Sequence, residues 1–348
     1  MDTTKHVRKP LCRQEVIKAV ERKSPSRIPM VRAKWWGEGL EEQYGGRLTE
    51  LEHYPDDVVW LLLENPATPE RMNLSWEWQI EGTAHDAACV IDDWSKLDEF
   101  IEKLPDPEHD PQFEMLRDKA EKARVDDRYT LFGWWRLFFE KPWGLRGMQN
   151  LMVDYYTAPE SVHRLHNALC EVYCRYIEYA QTQFQVDGFW ASDDLGHQTG
   201  PMISPKTFHK FLYPYYVQVG KTLQKSNIHF WLHSCGDNTK LLPDLVDAGV
   251  TVFHPVQKHT MDEQAVVEQF GDRLTFLAGL DVQHTLQEQT PDGVRAEVRF
   301  LINTFDRPNG GMGIASGNGI VAGTPFENIQ AFLDEAVMYG ETHRKQFC

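Results

Sequence analysis

From about residue 130 the chain alternates short β-rich runs with amphipathic helical stretches, a pattern that few folds accommodate. The strand candidates are Tyr129–Trp135, Gly188–Ser192, Ile228–Leu232, Thr251–His254, Leu274–Ala278 and Met312–Ala315, with Ile28–Val31 and Val58–Leu63 upstream. Helix starts between them are marked. Thr157-Ala-Pro-Glu160 reads as a capping box, and Ser204-Pro205, Thr290-Pro291 and Thr324-Pro-Phe-Glu327 repeat the device. Val162, Leu165, Leu169, Val172, Tyr173, Tyr176 and Ile177 then form an apolar stripe at helical spacing. Eight strands, most followed by a helix, predict an α/β fold of the (β/α)8 TIM-barrel type in one domain over residues 1–348. A helical N-terminal extension precedes it. A doubly wound open sheet is the alternative, but it lacks its glycine-rich dinucleotide turn here. Residues 66–128 break the alternation and are expected to be an insertion over the barrel mouth. Within them, Trp76 to Ile91 reads as a hairpin.

The 36 basic against 52 acidic residues leave a formal charge of −16, which argues against a nucleic-acid partner. Six cysteines scattered over 348 residues are no disulfide framework, and no apolar run approaches membrane-spanning length. The N-terminus also lacks the apolar core of a secretory signal. A reduced, cytoplasmic enzyme is the expectation.

The chemistry concentrates in Phe230-Trp-Leu-His-Ser-Cys-Gly236. Residues i and i+2 of a strand share a face, so His233 and Cys235 should project together from one strand end. An imidazole and a thiolate are two of the ligand types zinc prefers, although an isolated His-x-Cys is commonly mere packing. Catalytic groups of such barrels stand at the C-terminal ends of strands. Those ends hold Trp134-Trp-Arg136, Asp193-Asp-Leu-Gly-His197, His254 with Gln257, Asp281 and Ser316-Gly-Asn-Gly319. The Asp193-Asp194 pair reads either as two acids sharing a proton or as one capping residue beside a solvated one. Trp134, Trp135, Phe138, Phe139 and Trp143 read first as core, with a fraction left to line a flat apolar ligand face. The glycines of 310–319 read as a tight path from strand to loop.

His-Ser-Cys-Gly followed by Leu-Leu-Pro-Asp-Leu-Val-Asp-Ala-Gly-Val and His-Pro-Val-Gln257 resembles the uroporphyrinogen decarboxylase superfamily. So do Gly271-Asp-Arg-Leu-Thr-Phe-Leu-Ala-Gly-Leu-Asp281, Thr324-Pro-Phe-Glu-Asn328, and Ser192-Asp-Asp-Leu-Gly-His-Gln198 with Ile203-Ser-Pro205. The resemblance covers roughly residues 130–340 and implies a (β/α)8 barrel. It also implies one of two chemistries. The decarboxylases hold an acidic tetrapyrrole with a basic N-terminal loop, where this chain has only Arg32 and Lys34. Asp57 or Asp194 would be their electrostatic anchor. The cobamide-dependent methyltransferases, of the coenzyme M type, use zinc on His-x-Cys and a later cysteine. Here His233 and Cys235 match the first two ligands, but Ser316 and Asn318 stand where the third is expected.

The methyltransferase branch is the nearer resemblance. It implies zinc on His233 and Cys235, a further ligand from Asp281, His254 or the Asp193–His197 segment, and Asp194, His197, Asp281 and Asn318 as catalytic candidates. Trp135 and Gln257 would face the cofactor, a corrinoid carried as substrate or on a separate protein, and the other reactant would be a small thiol, methoxy or methylamine compound. The resemblance is compatible with a homodimer. Metal-free decarboxylation and a non-catalytic ligand-binding barrel are the alternatives.

Overall fold

A computed structural model describes residues 8–32, 35–80 and 88–347. Its strands are β1 (Val58–Leu62), β2 (Gln79–Ile80), β3 (Ala88–Cys89), β4 (Tyr129–Trp134), β5 (Gly188–Ser192), β6 (Gly196–His197), β7 (Gly200–Pro201), β8 (His229–His233), β9 (Val252–His254), β10 (Thr275–Leu280) and β11 (Met312–Ser316). Seven form the main sheet, in the order β1-β4-β5-β8-β9-β10-β11. The eighth expected strand, at 28–31, is a correction. Met30 makes only a parallel bridge to Ile314, because Pro29 offers a carbonyl but no N–H to a longer ladder.

The chain divides into two compact units, Leu61–Glu121 with Leu131–Val250, and Met1–Trp60 with Lys122–Thr130 and Thr251–Cys348. In the first, β4, β5 and β8 pair in parallel, with Ala191 opposite Leu232 and Ser192 opposite His233. This register brings the two strand ends level, so the turns after β5 and β8 emerge side by side. Helix Pro159–Phe184 covers this sheet, and the whole apolar stripe read from the sequence is buried on it. Each such large side chain stabilises by about 1.5–3 kcal/mol. Trp134 packs at 5.0 Å from Tyr173 and 4.8 Å from Phe189, between helix and sheet. The hairpin at 76–91 exists as β2 against β3, antiparallel, while residues 81–87 of its turn lie outside the described residues.

In the second unit β9, β10 and β11 are parallel, and helix Pro291–Phe305 packs on β10 through Phe305 and Phe276. Two caps hold as read, with Ser204 accepting from Thr207 N and Thr290 from Gly293 N. Two do not. Thr157 Oγ1 donates back to Val153 O in the preceding helix, leaving Ala158 at the N-cap. The last long helix, Phe326–Arg344, has Pro325 at its N-cap, and Thr324 makes no capping bond.

Candidate active site

The turn after β8 is built to hold a fixed shape. Gly236 has φ +80°, a left-handed conformation that glycine adopts without strain. Asn238 sends its amide N–H groups to the carbonyls of Ser234, Cys235 and Gly236 at 3.0–3.1 Å. Ser234 Oγ donates to Asn238 Oδ1 and accepts from Leu195 N, tying this turn to the one after β5. The two backbones touch at a glycine pair. A Cβ on Gly236 would lie 2.3 Å from Gly196 C, and one on Gly196 would lie 2.8 Å from Cys235 O. That approach lets Asp194 Oδ1 accept from Cys235 N at 2.9 Å.

Three ligand atoms converge as a result. His233 Nε2 is 3.4 Å from Cys235 Sγ and 3.7 Å from Asp194 Oδ1, and all three donors lie within 4.8 Å of one another. With zinc bonds of about 2.0–2.3 Å, the edges of a tetrahedral site are about 3.3–3.8 Å, so both His233 distances match a zinc site and the donor types suit the ion. His233 is buried, with Trp135 and Trp190 rings at 5.7 and 6.0 Å, while Asp194 reaches solvent. The three donors therefore face outward from an aromatic floor.

Behind them lies a buried polar layer. Asp193 accepts from the amides of Phe138, Phe139 and Glu140 and from the Tyr216 hydroxyl, satisfying the open N–H groups that start helix Glu140–Arg146. Burial pushes its carboxyl up to about 6, opposed by those hydrogen bonds. Of the two readings of the acid pair, the structure has Asp193 as the capping residue and Asp194 as its solvated neighbour. Glu140 accepts from Ser192 Oγ at 2.8 Å, and its carboxyl is pushed up to about 8 by burial and by the charges of Asp194 and Asp193.

The model for the uroporphyrinogen decarboxylase family matches residues 115–339, well over half of the chain. The chain belongs to the uroporphyrinogen decarboxylase family. A methylated-thiol–coenzyme M methyltransferase of Methanosarcina mazei is 25% identical over 189 residues, 54% of this chain. That match spans only 48% of the relative's own length. The solved structure of a methyltransferase from Methanosarcina mazei superposes with a TM-score of 0.65 at 15% identity, covering 94% of this chain and 98% of that one. The fold of this family member is therefore that of a methyltransferase of known structure.

None of the remaining candidates belongs to this group of donors. His197 is exposed on β6, and its carbonyl accepts from Asp237 N. Asp281 accepts from the amides of Gln283, His284 and Thr285, and lies with His259 and His284 in a second, more exposed group of donors. Those hydrogen bonds hold its carboxyl below the usual range against the opposing effect of burial. Asn318 is exposed, with Oδ1 accepting from Gly319 N. Gln257 is half-buried, and its carbonyl accepts from Thr260 and Met261. His254 is buried, stacked 4.6 Å from Trp35 with Nε2 on Ser316 O. Asp57, an anchor in the decarboxylase alternative, is spent inside the fold on both Arg27 nitrogens and on the amides of Leu11 and Met30. Lys34 lies outside the described residues.

Sequence reasoning missed the Gly196–Gly236 contact, Trp190, and the buried Glu140-Lys141 pair. The pair left a signal. Two charged residues stand inside the aromatic run Phe138–Trp143, where a solvated helix face would not be so apolar.

Proposed function

We propose that this chain is a methyltransferase that exchanges a methyl group between a small thiol, methoxy or methylamine compound and a corrinoid carried by a separate protein. The observation behind this reading is the spacing of Asp194, His233 and Cys235, which would hold a zinc ion with one coordination position open to substrate. When bound, the ion would supply Lewis acidity, favouring thiolate over thiol near neutral pH or polarising the atom that bears the methyl group.

The chain's own residues do the rest. Asp194 takes the place of the cysteine absent near 318, and its Oδ1 is kept on the centre by the Cys235 N–H. The Asn238 bridge and the Ser234 hydroxyl prevent the Cys235 turn from relaxing away from His233. Trp135 and Trp190 form an apolar wall that excludes water from one side of the imidazole and gives a flat ligand something to stack on. Asp193 and Glu140 are positioning residues, since both are turned into the fold and hold the helix behind the centre.

Incubation with methylcobalamin and a simple thiol, followed by the absorbance change on demethylation, tests this. Turnover by the wild type and its loss in a folded His233→Ala variant are expected. Full activity in a zinc-free His233→Ala variant would sink the proposal.

A further inference from the structure

The turns after β9 and β10, both in the second unit, carry a group of ligand-type side chains that the chemistry proposed above does not use. His259, Asp281 and His284 each bring one ligand atom to within 4.8 Å of the others. His284 Nδ1 lies 3.5 Å from Asp281 Oδ2, and the rings of His259 and His284 meet edge to face with centroids 5.5 Å apart. Exposed histidines and acids often meet without a ligand, but here the backbone holds them together from both turns.

Strands β9 and β10 pair in parallel, with Thr275 opposite Val252 and Phe276 opposite Phe253, so the turns that follow them leave the sheet as neighbours. The first turn is closed by the Gln257 carbonyl, which accepts from Thr260 N, Met261 N and Thr260 Oγ1. Lys258 is drawn inward, with its ammonium paired to Glu297 and 4.8 Å from the Phe300 ring centroid, both on helix Pro291–Phe305. Met261, two residues beyond His259, is buried. Pinned on both flanks, His259 takes φ +66°, a left-handed conformation uncommon for a residue with a side chain. Its imidazole is left exposed beside Asp281 and His284. In the second turn three amides anchor Asp281 and keep its carboxyl ionised. Two carboxylate oxygens offer about four acceptor sites, so one remains for a further bond. Lys258, the cation nearest in the chain, is neutralised by Glu297 and does not repel a metal ion.

We propose that His259, Asp281 and His284 form a second metal site, independent of the His233–Cys235 centre and of methyl transfer, for a divalent transition-metal ion such as nickel or cobalt. Two imidazoles and one carboxylate suit this class, whereas magnesium and calcium prefer oxygen donors throughout. The remaining coordination positions fall to water, and no thiolate strengthens the set. The ion is therefore held less tightly than at a cysteine-containing centre, and dialysis removes it. When bound, it cross-links the two turns.

Nickel(II) titrated into tag-free protein and followed by calorimetry tests the site. A saturable event in the micromolar range is expected, at least about tenfold weaker in His259→Asn and in His284→Gln and persisting in His233→Ala. Asparagine is chosen at 259 because it tolerates the left-handed backbone. Asp281→Asn, which keeps a capping side chain and removes the charge, should weaken the event as well. Nickel should also raise the melting temperature of the wild type and of His233→Ala, but not that of His259→Asn. The inference is overturned by a wild type without a saturable event, by an event indifferent to His259→Asn and His284→Gln, or by one that disappears in His233→Ala.

Discussion

The turn after β8 and the turn after β10 both close a strand with ligand-type side chains, yet they dispose of them in opposite ways. After β8, backbone demands are met by side chains other than those of His233 and Cys235, with Asp194 taking the Cys235 amide. Asn238 takes three carbonyls, Ser234 takes the Leu195 amide and Gly236 takes the left-handed φ, so His233 and Cys235 present Nε2 and Sγ to each other. After β10, the acid itself does the backbone work, with Asp281 accepting three successive amides as a helix start requires. Its companions His259 and His284 are exposed. The lesson is that a His-x-Cys pair is informative when neighbouring side chains satisfy the peptide groups around it.

The largest test of this contrast is Gly236→Ala. A Cβ would press on Gly196 from 2.3 Å, in a φ that side chains resist, so a loss of about 3–5 kcal/mol and of metal binding together is expected in chemical denaturation and metal titration. An effect within experimental error would show that the two turns need not touch.

Lys141→Met should act with the opposite sign and stabilise the protein by about 2–4 kcal/mol at neutral pH, since the folded state no longer carries a lysine whose affinity for its proton has dropped. The sign follows from linkage. The Lys141 amine is lowered to about 7 from its ordinary 10.5, so between those values the unfolded chain binds the extra proton and stability rises with pH. The gain on substitution should be constant below about pH 7 and shrink toward zero as the pH climbs to the ordinary lysine range. Thermal melts across this range check it, and a gain that grows with pH would refute the assignment.

Asp281→Ala should cost about 1–2 kcal/mol through lost helix capping while leaving zinc affinity unchanged. A large fall in zinc affinity would mean that the second turn contributes to the centre after all. Asn318→Ala, at an exposed position where the family's cysteine is expected, should change stability by less than about 0.5 kcal/mol in the same unfolding experiment.

Much of the fold was legible because it rests on periodicity. Every residue of the 162–177 stripe is buried, and Gly188–Ser192 has the bounds read from its composition. The Ile28–Val31 segment misled because its apolar pattern outweighed one proline, and a ladder depends on amide hydrogens that hydropathy does not register. The His233–Cys235 juxtaposition was legible from strand alternation alone. Asp194 was named among several third donors, but its place beside them depends on the level ends of β5 and β8 and on the Gly196–Gly236 contact, which are long-range facts. Glu140 and Lys141 went unread because the aromatic residues of 138–143 were weighed and the two charges standing among them were not.

The central claim is the zinc centre, and elemental analysis of the purified protein tests it most directly, with circular dichroism to verify folding. The account predicts about one zinc per chain, lost in His233→Ala and in Cys235→Ser and weakened in Asp194→Asn. A well-folded wild type that holds no zinc after reconstitution, or a Cys235→Ser variant that retains it in full, would contradict the account.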